Sequence, residues 1–434
     1  MHTLKTTMIL RRSLSTAAVL FMLAAPLFAQ GKRLWVLRAP GEMAEYDPIT
    51  FALKHTVKVP AEAVKSPAAV SVNRLGQILY APVVTLPLTD QDVAAHYKVW
   101  IWDGHSVSTI DQGVTQKTEK TGSNDAITET APTPLLAAGG THLFWFANQE
   151  RRLQREEVDL SVETTLQLWQ TDLSGAGREE VASAKLPDCR CPTGNCEETC
   201  PSGSVWAPEG GVEKFFVVLQ SFSAQTGTVY KASTSYRLDA GNLDAGKWSA
   251  APNPEPLQRV LDADASGTMI LEAIPDTACC GWSNQSNDQT LVFVNGKKVI
   301  VFDEQATYKN PDYDVSFFTL TGRLSPESGR VAMTIATTAQ INKPIQLSEE
   351  GAASPEESLR IRKAVAEMPA VVVKTVEDNP KQIAFLPHTA LVGWISEKEL
   401  LILEDHLLVT YNVETGARKK STIKVEDAAH VFLR

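Results

Sequence analysis

The stretch Leu391-Val392-Gly393-Trp394-Ile395-Ser396-Glu397-Lys398-Glu399-Leu400-Leu401-Ile402-Leu403-Glu404-Asp405-His406-Leu407-Leu408-Val409-Thr410-Tyr411-Asn412-Val413-Glu414-Thr415-Gly416, continued to Val425, decides the architecture. Its apolar runs, Leu391 to Ile395, Glu399 to Leu403, Leu407 to Tyr411 and Ser421 to Val425, have the length of strands and are too short for free-standing helices. Turns fall at Glu404-Asp405 and Glu414-Thr415-Gly416. Strands so closely spaced pair as antiparallel neighbours.

Outward from this unit the same pattern recurs. Leu34 to Leu37, His55 to Val59, Gln77 to Tyr80, Lys98 to Trp102, His142 to Phe146, Thr165 to Trp169 and Lys214 to Leu219 read as strands in the first half. Thr228 to Tyr236, Met269 to Ala273, Thr290 to Val294, Lys298 to Phe302, Val315 to Leu320, Val331 to Ile335 and Ala370 to Val373 follow, with a tight turn at Asn295-Gly296. Four consecutive antiparallel strands make one propeller blade. The expected fold is therefore all-β: a single β-propeller over 30–434 with about seven four-stranded blades, six or eight also fitting, and one short helical insertion.

Val409-Thr410-Tyr411-Asn412-Val413-Glu414-Thr415-Gly416 resembles the strand and turn of YVTN-type and WD-type blades, and Glu45-Tyr46-Asp47-Pro48-Ile49-Thr50 echoes it. Leu324-Ser325-Pro326-Glu327-Ser328-Gly329-Arg330 is similar to the Ser-Pro-Asp-Gly turn of TolB-like blades, with Glu-Ser replacing the single Asp. The resemblance implies the propeller superfamily and no particular activity, because that superfamily holds scaffolds, binding proteins, hydrolases and oxidoreductases.

At the N-terminus, Lys5, Arg11 and Arg12 precede an apolar run from Leu14 to Phe28, then Ala29 and Gln30. This is the layout of a signal peptide over 1–29, and the run is shorter than the roughly 20 residues a membrane span needs. The expected address is periplasmic or secreted, with no membrane insertion after cleavage. Removing Lys5, Arg11 and Arg12 leaves 38 basic against 51 acidic side chains, a net charge of −13, which disfavours nucleic acid and anionic lipid as partners.

Three segments break the repeat. Residues 113–140 read as a long loop. Residues 186–203 carry four cysteines, and 354–368 read as a helix with Ser354 at its N-cap and Ile361, Val365 and Met368 on one packing face. Cys189, Cys191, Cys196, Cys200, Cys279 and Cys280 are an even set in an exported chain and read as three disulfides of open pairing; a four-thiolate zinc site is the competing reading. Cys279 and Cys280 either bond each other or staple the four-cysteine loop to the next blade.

No motif demands a cofactor. Calcium or another divalent metal is the one the candidate ligands would take: Asp262, Asp264 and Ser266 at alternate positions before Gly267, or His96, His105 and His142 converging with Asp103 or Asp125. Asp262 to Gly267 lacks the acidic twelfth ligand of a calcium loop, since Ala273 stands there, and reads first as a hairpin turn. Trp100 and Trp102 share one strand face and read as packing between blades. There is no Gly-x-Ser-x-Gly and no His-Glu-x-x-His. The functional expectation is a binding or interaction module for a protein, peptide or glycan. The alternative is a metal-dependent hydrolase or lyase with its site in the central funnel. A redox enzyme using the adjacent cysteines or a bound quinone ranks third; Asp244-Ala245-Gly246-Lys247-Trp248 faintly resembles a docking motif of quinone-dependent alcohol dehydrogenases.

Overall fold

The computed structural model describes residues 32–85, 95–113, 117–120, 125–130, 135–136, 140–156, 159–177, 179–185, 189–191, 202–206, 214–222, 229–230, 235–239, 249–251, 259–264, 268–273, 289–294, 297–308, 315, 317–337 and 355–434. They form seven antiparallel sheets, numbered here by the order of their chain segments. Sheet 1 joins Leu34–Arg38, Glu42–Tyr46 and Leu53–Lys58 to Val431–Leu433 from the far end of the sequence. Sheet 2 is built on Val70–Val72, Ile78–Tyr80 and Ala95–Trp102, sheet 3 on the long hairpin His142–Glu156 and Asp159–Asp172, and sheet 4 on Ser202–Trp206 and Lys214–Phe222. Sheets 5, 6 and 7 each have four strands in sequence order: Arg259–Ala263 to Lys297–Asp303, Phe317–Leu324 to Gln382–Pro387, and Thr389–Trp394 to Arg418–Lys424.

Apolar residues on both faces of inner strands such as Leu34–Arg38, Arg330–Thr337 and Glu399–Glu404 explain how the sheets stack. In sheet 7, Leu400 and Ile402 join Val371, Val373 and Leu386 of sheet 6, while Leu401 and Leu403 join Leu34, Val36 and Leu433 of sheet 1. Alternate side chains of one strand thus bury into two different interfaces, and the unbroken run Leu400 to Leu403 is a strand covered on both sides. The same holds between sheets 5 and 6, where Ile270, Val292 and Val301 meet Phe317, Met333 and Val372. Trp35, Met43 and Val57 of sheet 1 meet Val72, Ile78 and Tyr80 of sheet 2, and Val99 and Ile101 of sheet 2 meet Leu143 of sheet 3.

First strands of neighbouring sheets adjoin one another. Arg259–Ala263 lies against Phe317–Leu324, which lies against Thr389–Trp394, which lies against Val431–Leu433. Arg434 Nε then donates to Val72 O at 2.9 Å, and Val70–Val72 adjoins Leu135–Leu136 of sheet 3. The first strands of sheets 5, 6 and 7 each carry a register shift, between Val260 and Asp262, Thr319 and Thr321, and Leu391 and Gly393, so a bulge bends the same strand in three successive sheets. At the sheet 6 bulge Gly322 lies close to sheet 5, where an added Cβ would stand 3.3 Å from Ile270 Cδ1.

Among the described residues two short α-helices interrupt the strands. Asp303 Oδ1 accepts from Ala306 N at 2.8 Å and caps α1 (Glu304–Tyr308). The helix read over 354–368 is α2 (Pro355–Ala366), and Ile361 and Met368 are buried as its apolar face requires, Met368 within the core between sheets 5 and 6. The reading of 113–140 as a loop is corrected: Lys117–Lys120, Asp125–Thr130 and Leu135–Leu136 are strands of sheet 3. Lys117–Lys120 is polar throughout, and the only apolar residues of Asp125–Thr130 are the adjacent Ala126 and Ile127, so backbone pairing holds both strands where no apolar period announces them. No helix among the described residues is long and apolar enough to cross a membrane. Residues 1–31, with the leader read at 1–29, lie outside the described residues.

Candidate functional site

The register of sheet 1 sets Phe432, Trp35, Glu45 and His55 opposite one another on four adjacent strands. Directly opposed residues share a face, so one row carries an acid and an imidazole between aromatic rings. Glu45 is 2% exposed. Its Oε2 lies 3.1 Å from His55 Nδ1 and its Oε1 lies 3.3 Å from Arg33 Nε, so the buried carboxylate has a partner on each oxygen. Trp102 of sheet 2 closes the row. Its ring is 5.5 Å from that of His55 and 5.9 Å from that of Trp35, which meets His55 edge-on at 5.0 Å and 88°. Trp35 is fully buried, yet among the described residues its Nε1 finds no hydrogen-bond partner.

The His55 side chain is 40% exposed, the polar outlet of this otherwise closed row. Because Glu45 is acceptor-only when ionised, the Nδ1 of His55 carries the shared proton, and in the neutral ring Nε2 holds the lone pair. Among the described residues Nε2 has no protein partner.

The residues singled out by sequence fall elsewhere. Asp262 Oδ2 accepts from Leu324 N of sheet 6 at 2.7 Å, and Asp264 accepts from Ser328 Oγ of sheet 6 and, at 2.9 Å, from Thr268 N across its own hairpin. Asp264 thus closes the expected hairpin turn, while both carboxylates tie sheet 5 to sheet 6. Ser266 lies outside the described residues. His105 sits in the turn after Ala95–Trp102, where Asp103 Oδ1 accepts from His105 N and Ser106 N, both at 2.7 Å. Those bonds, Ser106 first, hold the Asp103 carboxyl below the usual carboxylate range. His142 Nδ1 pairs with Thr141 Oγ1 at 2.8 Å. His96 stands in its strand opposite Gly113, and Asp125 opens the strand Asp125–Thr130, with both side chains outside the described residues. Among the described residues no three His, Cys, Asp or Glu side chains are grouped to hold a metal ion.

Cys189 and Cys191 lie on a short strand opposite Val162 and Leu160; their side chains, and Cys196, Cys200, Cys279 and Cys280 altogether, lie outside the described residues. Trp100 and Trp102 pack partly into the core between sheets 1 and 2, as their shared face requires.

A second group of titratable side chains lies between sheets 5 and 6. Glu304 Oε1 accepts from Phe317 N at 2.7 Å, and Tyr308 stacks on Phe317 with centroids 3.8 Å apart. Burial first, then the Glu367 and Glu304 carboxylates, push the Tyr308 phenol up to about 12. Burial also lowers the Lys374 ammonium below the usual lysine range, against the pull of Asp303.

No family model and no curated protein matches the chain. Among solved structures it is similar to acylaminoacyl peptidase from Pyrococcus horikoshii, at 11% identity and a TM-score of 0.42, over 88% of this chain and 48% of that one. It is similar to Porphyromonas gingivalis dipeptidyl peptidase 4, at 9% identity and a TM-score of 0.44, over 92% of this chain and 59% of that one. The β-propeller domain of the Trilobed protease from Pyrococcus furiosus matches at 11% identity and a TM-score of 0.32, over 81% of this chain and 95% of that one. The chain therefore spans about half the length of the peptidases it resembles. These likenesses correct the expectation of a binding or interaction module, since the structures named are peptidases and a protease's propeller.

Proposed function

We propose that the seven sheets are the blades of a single β-propeller, and that the chain forms the propeller part of a peptide-hydrolysing assembly. The observation that carries this reading is the succession of adjoining first strands, Arg259–Ala263, Phe317–Leu324, Thr389–Trp394 and Val431–Leu433, ended by the pairing of Val431–Leu433 with Leu34–Arg38. First strands that adjoin from sheet to sheet are those nearest a common axis, and a sheet shared by distant parts of the chain locks a ring. Five apolar interfaces between successive sheets, from sheet 5 round to sheet 3, support the same arrangement.

The hydrolytic half of the reading assigns to this chain the kind of protein its structural likenesses name. With no Gly-x-Ser-x-Gly in the sequence, the ring frames the reaction and a different unit supplies an activated serine. Export and the three disulfides belong to the same proposal. The test is to purify the native protein, separate it by size and assay each fraction with acylated and dipeptidyl chromogenic amides. Amide hydrolysis should travel with this chain in a particle larger than the chain alone, with a fluorophosphonate probe labelling another polypeptide. No hydrolysis in any fraction holding the chain, or label on the chain itself, would overturn the reading.

A further inference from the structure

The described histidines divide by what holds their nitrogens. His430 is fastened at both, with Nδ1 2.9 Å from Asp427 Oδ1 and Nε2 3.0 Å from Val64 O, which fixes the ring and leaves neither nitrogen open to a substrate. His406 and His142 meet only uncharged oxygens through Nδ1, Glu426 O and Thr141 Oγ1 respectively. In His55 the Nδ1 position is taken by a carboxylate that is itself buried and braced by Arg33, while Nε2 is unpartnered among the described residues and the ring is part-exposed. A carboxylate on Nδ1 fixes the tautomer with its lone pair on Nε2, orients the ring, and stabilises positive charge that forms on it.

We propose that His55 is an acyl-accepting nucleophile for activated acyl donors, aryl esters first among them, a role independent of the assembly proposed above. The Nε2 lone pair attacks the ester carbonyl carbon, an N–C bond forms, and the C–O bond to the aryloxide breaks. The positive charge left on the acylated ring is met by Glu45 through the Nδ1 proton. Water then adds to the acyl carbon and loses one proton to solvent, the C–N bond breaks with its electron pair returning to Nε2, and the carboxylic acid leaves, while the expelled aryloxide takes up a proton from solvent. The sum is ester plus water giving acid plus phenol, with no other reactant. The Trp102 ring, 5.5 Å from the imidazole, supplies a flat apolar wall for the aryl group.

The experiment uses the full chain and p-nitrophenyl acetate. Nitrophenolate release should fall about tenfold in His55→Gln and several-fold in Glu45→Gln, and stay unchanged in His105→Gln. In His55→Ala, added imidazole should restore release above its rate with free imidazole, which a structural role would not produce. Acid quenching during turnover, followed by peptide mass mapping, should place the acetyl group on His55. If Glu45→Gln fails to fold, as circular dichroism would show, the quench and the His55 variants still decide. Folded His55→Gln retaining release within about twofold of the parent, or acetyl found only on other residues, would overturn the proposal.

Discussion

Single side chains at the turns join one sheet to the next. Glu397, in the first turn of sheet 7, accepts from Ser325 Oγ at 2.8 Å and from Glu327 N at 3.0 Å, both in the first turn of sheet 6, while Arg330 reaches Glu397 O at 2.8 Å. Replacing Glu397 with Ala strands the Ser325 and Glu327 donors and leaves the Arg330 bond to the main chain, and a loss of about 2 kcal/mol in urea unfolding is expected. Asp47, Asp103, Asp172 and Asn412 each accept from backbone amides two to four residues ahead, in the turn between third and fourth strands or its counterpart. The echo between Glu45-Tyr46-Asp47 and Tyr411-Asn412 is therefore one turn geometry used twice, and Asn412→Ala should cost about 1 kcal/mol by the same measurement. Tyr308 gives a pH prediction. The unfolded phenol ionises near 10.0 and the folded one at about 12, so the unfolded state loses its proton first. Stability from this group is intact below pH 10 and is lost as pH rises toward 12, by roughly 2–3 kcal/mol in all. Chemical denaturation across that range should show part of the alkaline loss absent in Tyr308→Phe.

At the scale of elements, the sequence was most legible where apolar strands meet short turns. Sheet 7 shows why: its strands fall at Thr389–Trp394, Glu399–Glu404, Leu407–Asn412 and Arg418–Lys424, within a few residues of the apolar runs. Sheet 3 shows the limit. Its central hairpin runs 15 and 14 residues, but only His142 to Phe146 and Thr165 to Trp169 could be read, because Asn148 to Glu156 is polar at nearly every position. The Glu45–His55 pair was illegible for another reason. The two residues are partners only once the hairpin folds about Asp47, and the bulge between Glu45 and Tyr46 shifts the count that would have revealed them. The closing strand Val431–Leu433 carries a prediction of its own: Phe432 is 6% exposed and packs with Trp35, so Phe432→Ala should cost about 3–5 kcal/mol in denaturant unfolding.

For the whole molecule, the order of the sheets follows the order of the chain, with Val431–Leu433 returning to Leu34–Arg38. Among the described residues both faces of sheets 1, 2, 6 and 7 are buried against neighbours, so these sheets are expected to unfold together. Export and cross-linking are tested at this scale by intact mass: a mature N-terminus at Gln30, and a gain of about 6 Da on reduction if the six cysteines form three bridges. A closed ring of blades is tested most directly by diffraction from crystals of the protein. Seven sheets about one axis are expected, with Val431–Leu433 hydrogen-bonded to Leu34–Arg38. An open arc, a different number of sheets, or Val431–Leu433 unpaired from Leu34–Arg38 would contradict it.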